Sequence, residues 1–136
     1  MKLIAYLFIA AMTLGVNISC SAQNDKKNVN TAFSDAGKVE VFYFHFTRRC
    51  ITCQAVEDVS RQAVAELYGG KVKFSEFNLE EEKGKQKGEK LGISGQTLLI
   101  VSDDTKINIT NEGFLNARSN PDKLKQIIKE KIDPLL

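Results

Sequence analysis

Val39-Glu-Val-Phe-Tyr-Phe-His-Phe46, followed by Thr47-Arg48-Arg49 and then Cys50-Ile-Thr-Cys53, is the stretch that decides the fold. Residues 39–46 are apolar, aromatic and β-branched with little alternation, the pattern of a central strand covered on both faces. Beyond Cys53, the residues Val56, Val59, Ala63, Val64 and Leu67 recur at spacings of three and four. One apolar stripe results, so a helix is predicted over residues 54–67, closed by Gly69-Gly70. The two cysteines therefore sit where a strand hands over to a helix. Cys50 is placed at the exposed helix start and Cys53 one turn inside, a spacing that lets the pair open and close a disulfide without refolding the chain.

That position favours Cys50 as the nucleophile. Unpaired backbone N–H groups and the positive end of the helix stabilise a thiolate there. Arg48 and Arg49 add two fixed positive charges beside it. A free cysteine titrates near pH ~8.5, whereas C-x-x-C cysteines at helix starts fall between about 3.5 and 7.5, so a reactive thiolate is expected near neutrality. Cys50 would attack a partner disulfide, and Cys53, the resolving thiol, would then attack Cys50 and release the reduced partner. The reverse steps make an oxidant.

Working outward, Lys71-Val-Lys-Phe-Ser-Glu-Phe-Asn-Leu79 reads as a second strand and the charged run over residues 80–90 as a polar helix leading to Leu91-Gly92-Ile93. Thr97-Leu-Leu-Ile-Val101 reads as a third strand, Asp103-Asp104 as a hairpin turn, and Lys106 to Thr110 as a fourth strand followed by Gly113. Pro121 to Ile132 closes the chain as a helix opened by Ser119-Asn120, with Leu124, Ile127, Ile128 and Ile132 on one face.

In this order and spacing the elements from about Phe33 to Leu136 resemble the thioredoxin superfamily. The resemblance implies an α/β fold, a thioredoxin-like three-layer sandwich with a central mixed four-stranded sheet and flanking helices. It also implies thiol–disulfide exchange at Cys50 and Cys53 and a substrate-facing loop at Gly95, Gln96 and Thr97. This chain departs from the family at three places. The proline usual before the third strand is replaced by Gly95-Gln96-Thr97, the tryptophan before the first cysteine by Arg49, and the buried acid of the first strand by Phe44. A cis bond without proline costs about 2.5–4 kcal/mol, so Gly95-Gln96 is expected trans. Loss of the acid removes a proton acceptor for Cys53. A specialised exchanger is expected rather than a general one.

The N-terminus bears on location. Met1-Lys2 precedes Leu3-Ile-Ala-Tyr-Leu-Phe-Ile-Ala-Ala-Met12 and a small-residue region, which reads as a secretory leader over residues 1–22. Its apolar core is short for a membrane span. Two cleavage readings stand. Cys20-Ser21-Ala22 before Gln23 suits ordinary signal cleavage, and Ile18-Ser19-Cys20 resembles a lipoprotein signal that would leave a lipid on Cys20. The protein is expected to be exported, periplasmic or anchored at the outer face of a membrane by lipid alone. Residues 23–32 are polar and aperiodic and read as a disordered tether, and residues 33–136 as one domain.

The 136 residues carry 19 basic and 17 acidic side chains and one histidine. Near-zero net charge offers no basic surface for nucleic acid. The leading reading is an extracytoplasmic protein-disulfide oxidoreductase, a monomer without cofactor, acting on client protein thiols or disulfides and, if it reduces them, fed by a transmembrane electron donor. A second reading uses Cys50 and Cys53 as soft ligands for Cu(I), with His45 as a third. Structural zinc is disfavoured because it usually takes four protein ligands. A third reading is a redox-inactive interaction domain, although a disulfide closing so short a loop adds little stability. His45 also admits a plain packing role, the run over residues 80–90 reads as a solvated helix face, and Phe42, Tyr43, Phe44 and Phe46 as core.

Overall fold

The computed structural model describes residues 38–136. The leader, Cys20 and the tether lie outside the described residues. Strand β1 (Val39–His45) occupies the interior of a four-stranded sheet ordered β2-β1-β3-β4. Strand β2 (Lys73–Asn78) runs parallel to it, with Tyr43 opposite Glu76 and His45 opposite Asn78. On the other side β3 (Thr97–Ser102) is antiparallel, Phe44 facing Thr97, and β4 (Thr105–Asn108) pairs antiparallel with β3. A parallel neighbour needs a crossover, which helix α1 (Ile51–Tyr68) provides, whereas β3 and β4 need only the Asp103-Asp104 turn.

Both faces of β1 are covered, which explains its unbroken apolar character. Val39, Val41 and Tyr43 pack with Val56, Ala63 and Val64 of α1 and with residues Leu124, Ile128 and Ile132 near the chain's end. Phe42 and Phe44 pack with Leu99 against Phe77, Leu79 and Leu91 on the opposite face. Each such side chain, fully buried, contributes about 1.5–3 kcal/mol. Helix α2 (Glu82–Leu91) belongs to the second face. The result is an α/β fold of three layers that matches a thioredoxin-like sandwich.

Several boundaries differ from expectation for physical reasons. Helix α1 starts three residues earlier than expected, because Cys50 serves as its N-cap. Leu67 is exposed, and the helix ends on the half-buried Tyr68. The expected fourth strand ends at Asn108, whose Oδ1 accepts the Thr110 backbone N–H at 3.0 Å and turns the chain into an unanticipated helix, α3 (Thr110–Asn116). The last long helix, α4 (Pro121–Ile132), begins as expected on Pro121, capped by the Asn120 side chain.

The run over residues 80–90 is more than a solvated face. Gly84 and Gly88 of α2 are buried. A Cβ on Gly84 would collide with the backbone carbonyl of Asn78, and one on Gly88 would lie 2.8 Å from the carbonyl oxygen of Ile93 and 2.9 Å from Leu79 Cδ2. These glycines let the helix seat against the end of β2.

Candidate functional site

The C-terminal ends of β1 and β2 and the N-terminal end of β3 meet at one edge of the sheet, because β2 is parallel and β3 antiparallel to β1. The C-x-x-C segment and the loop leading to Thr97 therefore belong to the same end of the molecule. The connection out of β1 is pinned to the turn after β2. Leu79 N–H donates to His45 O at 2.8 Å, Thr47 N–H to Glu80 Oε2 at 2.8 Å, and Asn78 Nδ2 to Thr47 Oγ1 at 2.9 Å. Hydrogen bonds from Thr47, side chain first and backbone second, hold the Glu80 carboxyl below its usual range.

A disulfide joins Cys50 and Cys53, whose Cα atoms are 5.1 Å apart. Cys50 is extended, exposed and caps α1, its Sγ accepting the Cys53 N–H at 3.2 Å. That sulfur occupies the place where a helix binds negative charge. Cys53 is 4% exposed. One cysteine is thus exposed and the other buried one turn inside. Beneath them the Tyr43 hydroxyl donates to Cys53 O at 3.0 Å. Burial, reinforced by the Glu57 charge and partly offset by Arg49, pushes the Tyr43 hydroxyl up to about 12. Ile51, between the cysteines, is 66% exposed, and Phe46 lies partly open before them. Apolar surface therefore adjoins the accessible sulfur.

The two arginines part company. Arg48 is exposed to solvent. Arg49 is turned inward and bonds the carboxylate of Glu57, which also takes Arg61 one turn further along α1. The Arg61 guanidinium in turn lies 5.0 Å from the centre of the Phe74 ring. Glu57 is buried on the α1 face shared with Cys53, Val56 and Ser60. Sequence reasoning missed this carboxylate, although an acidic residue breaking an apolar stripe four residues before an arginine was the signal to follow.

His45 is 5% exposed, and both ring nitrogens are engaged. Nδ1 lies 3.0 Å from Phe46 O, to which it can only donate, and Nε2 lies 2.8 Å from Glu76 Oε2. The ligand-type atoms gathered around it are carboxylate oxygens of Glu57 and Glu76, all within 4.8 Å of one another, and neither cysteine belongs to that group. Metal binding there would have to displace the bonds that now satisfy all three side chains. His45, Arg49 and Glu76, with Thr47, Asn78 and Lys83, line a cavity of about 370 Å³.

Gly95, Gln96 and Thr97 lead into β3. Among the described residues no peptide bond is cis. The Thr97 hydroxyl donates to Gly95 O at 2.9 Å, closing the loop on itself with a side-chain bond.

No protein-family model and no curated protein matches the chain. A solved structure of a malarial protein is similar over 68% of this chain and 96% of that one, with 17% identity and a TM-score of 0.47. The order of the four strands carries the fold, and the disulfide at the start of α1 is compatible with redox activity.

Proposed function

We propose that this protein is an extracytoplasmic thiol–disulfide oxidoreductase that cycles the Cys50/Cys53 pair through mixed disulfides with client proteins. One observation carries the reading: Cys50 is an exposed residue whose sulfur is bonded to Cys53 and held against a helix N-terminus by the Cys53 N–H. In the reducing direction the Cys50 thiolate attacks one sulfur of a client disulfide. That client bond breaks, a client thiolate leaves, and a Cys50–client disulfide forms. Cys53, losing its proton, then attacks Cys50 Sγ. The mixed disulfide breaks, the second client sulfur leaves as thiolate, and both client thiolates take up protons. The client has gained two electrons and Cys50–Cys53 is again a disulfide. Export rests on the leader sequence, and an exported reductant would draw its electrons from a membrane donor.

Exposed Ile51 and Phe46 supply apolar contact for a client chain near the attacking sulfur. The Gly95 to Thr97 loop, at the same end of the sheet, would supply the opposing contact.

The deciding experiment is a reduction potential, measured on protein carrying Cys20→Ser, equilibrated in glutathione buffers, trapped by alkylation and weighed intact. A reversible two-electron couple between about −120 and −270 mV is expected, the range of known exchange proteins. A pair that stays closed below about −300 mV would instead be a structural bridge.

A further inference from the structure

A carboxylate buried on a helix's core face is costly unless it is paired. Glu57 is paired twice, with Arg61 from the next turn and with Arg49 from the residue before Cys50. Arg61 alone already gives the carboxylate a partner at helical spacing. The second guanidinium needs another explanation, and helix geometry supplies one.

Cys50, Cys53, Glu57 and Arg61 follow one another at spacings of three, four and four, so they share one face of α1. Glu57 lies seven residues beyond Cys50, about 10 Å along the helix axis. It is four residues beyond Cys53, with Cβ atoms about 5–6 Å apart. A guanidinium bound to Glu57 is therefore drawn down the helix, away from the cap where the Cys50 sulfur sits. His45 and Glu76 converge on the same carboxylate from the sheet, and the Tyr43 hydroxyl lies nearby as a neutral donor. Arg48 stays in solvent.

We propose that Glu57 is a positioning residue for the dithiol: it holds the Arg49 guanidinium along α1, off the Cys50 sulfur, and so sets how oxidising the pair is. The inference rests on the proposed redox function, and it assigns to Arg49 a location that its neighbourhood in sequence does not suggest. With Glu57 in place, the charge of Arg49 is spent on a carboxylate. Released, a guanidinium attached one residue before Cys50 can reach the thiolate directly.

The test uses the full chain carrying Cys20→Ser, reduced and alkylated with iodoacetamide across a pH series, with modification at Cys50 read by peptide mass. Glu57→Gln preserves side-chain size and an acceptor for Arg61 but removes the charge that holds Arg49. The Cys50 thiol should become more acidic by about one unit, the lower end of what an opposite charge within 4–6 Å does. In glutathione buffers held above both thiol pKa values the dithiol form should gain about tenfold, equivalent to roughly 30 mV for a two-electron couple, and less at lower pH. In an Arg49→Gln background the same substitution should change neither quantity, because the one guanidinium left to release, Arg61, starts eleven residues and about 16 Å along the helix from Cys50. Glu57→Asp, which keeps the charge, should stay close to the parent and serves if the Gln variant folds poorly. An unshifted Cys50 titration in Glu57→Gln overturns the proposal. An equal shift with and without Arg49 overturns it too, since Glu57 would then act through its own charge. Should the parent pair prove to be a structural bridge, the redox reading fails while the Cys50 titration of the reduced protein still decides the role of Glu57.

Discussion

Replacing Gly84 by alanine should destabilise the domain even though helix propensity favours the exchange. Alanine is better than glycine inside a helix by about 1 kcal/mol, and Gly84 is the third residue of α2, so at most that much is gained. Against it stands the Asn78 carbonyl, whose oxygen and carbon a Cβ would overlap. These are backbone atoms, fixed by the ladder to β1 and by the turn bond from Glu81 N–H to Asn78 O at 3.1 Å, so no rotamer change relieves the clash. The helix has to lift off the strand end. Inserting a methyl group into a packed site costs about 1–3 kcal/mol, and a gap of even 0.5–1 Å opened beneath the helix forfeits about a quarter to a half of the dispersion energy there. The contacts at risk are those of Phe42 and Phe44 with Phe77, Leu79 and Leu91. Taking the upper end of the overpacking cost and subtracting the propensity gain, the net loss is about 2 kcal/mol. For a domain of this size that lowers the melting temperature by about 8–16 °C. Urea denaturation of the parent, Gly84→Ala and Gly95→Ala is the assay. The last is the control, since a Cβ on Gly95 meets nothing within 4 Å and should shift stability by no more than about 0.5 kcal/mol. A Gly84→Ala protein as stable as the parent, with the same urea slope, would show that α2 is not seated on Asn78, and the fold of that layer would need revision.

Cys53→Ser should accumulate mixed disulfides with client proteins through Cys50, while Cys50→Ser should trap few; equal trapping on non-reducing gels would sink the assignment of attacking and resolving thiols. Ser60→Ala should stabilise the domain by about 1 kcal/mol, because the Ser60 hydroxyl is fully buried with no hydrogen-bond partner among the described residues, and urea melts will show the sign. Tyr43 brings an alkaline limit: with its hydroxyl raised to about 12 from an unfolded value of 10, the folded state holds the proton more tightly, so its contribution is complete below pH 10 and disappears as pH climbs to about 12. Tyr43→Phe should therefore lose stability less steeply over that interval than the parent, and parallel pH profiles from thermal melts would contradict the burial of that hydroxyl.

What could be read from the sequence was what local pattern encodes. The unbroken apolar run into Cys50, the three-and-four spacing after Cys53, the glycines closing α1 and the Asn120-Pro121 start of α4 all act within a few residues of themselves, and each is where it was expected apart from the earlier start of α1 and the exposed Leu67. Helix α3 was hidden because it is only seven residues long, too short for an apolar period, and depends on an Asn108 side chain turning the chain. The glycines of α2 looked like weak points because composition does not say what a helix rests on, and their use is visible only once Asn78 is beneath them. Glu57 looked like any charge on a helix. Its burial goes with partners eight residues back and four residues on. Two arginines adjoining a cysteine in sequence suggest two charges on its sulfur, but the chain bends at Thr47 and Arg48 and the two side chains find different surroundings. Arg48 goes to solvent and Arg49 goes to the helix. The Cys53 N–H contacts the Cys50 sulfur at the helix end, and on the inference proposed above Glu57 withholds the charge of Arg49 from it.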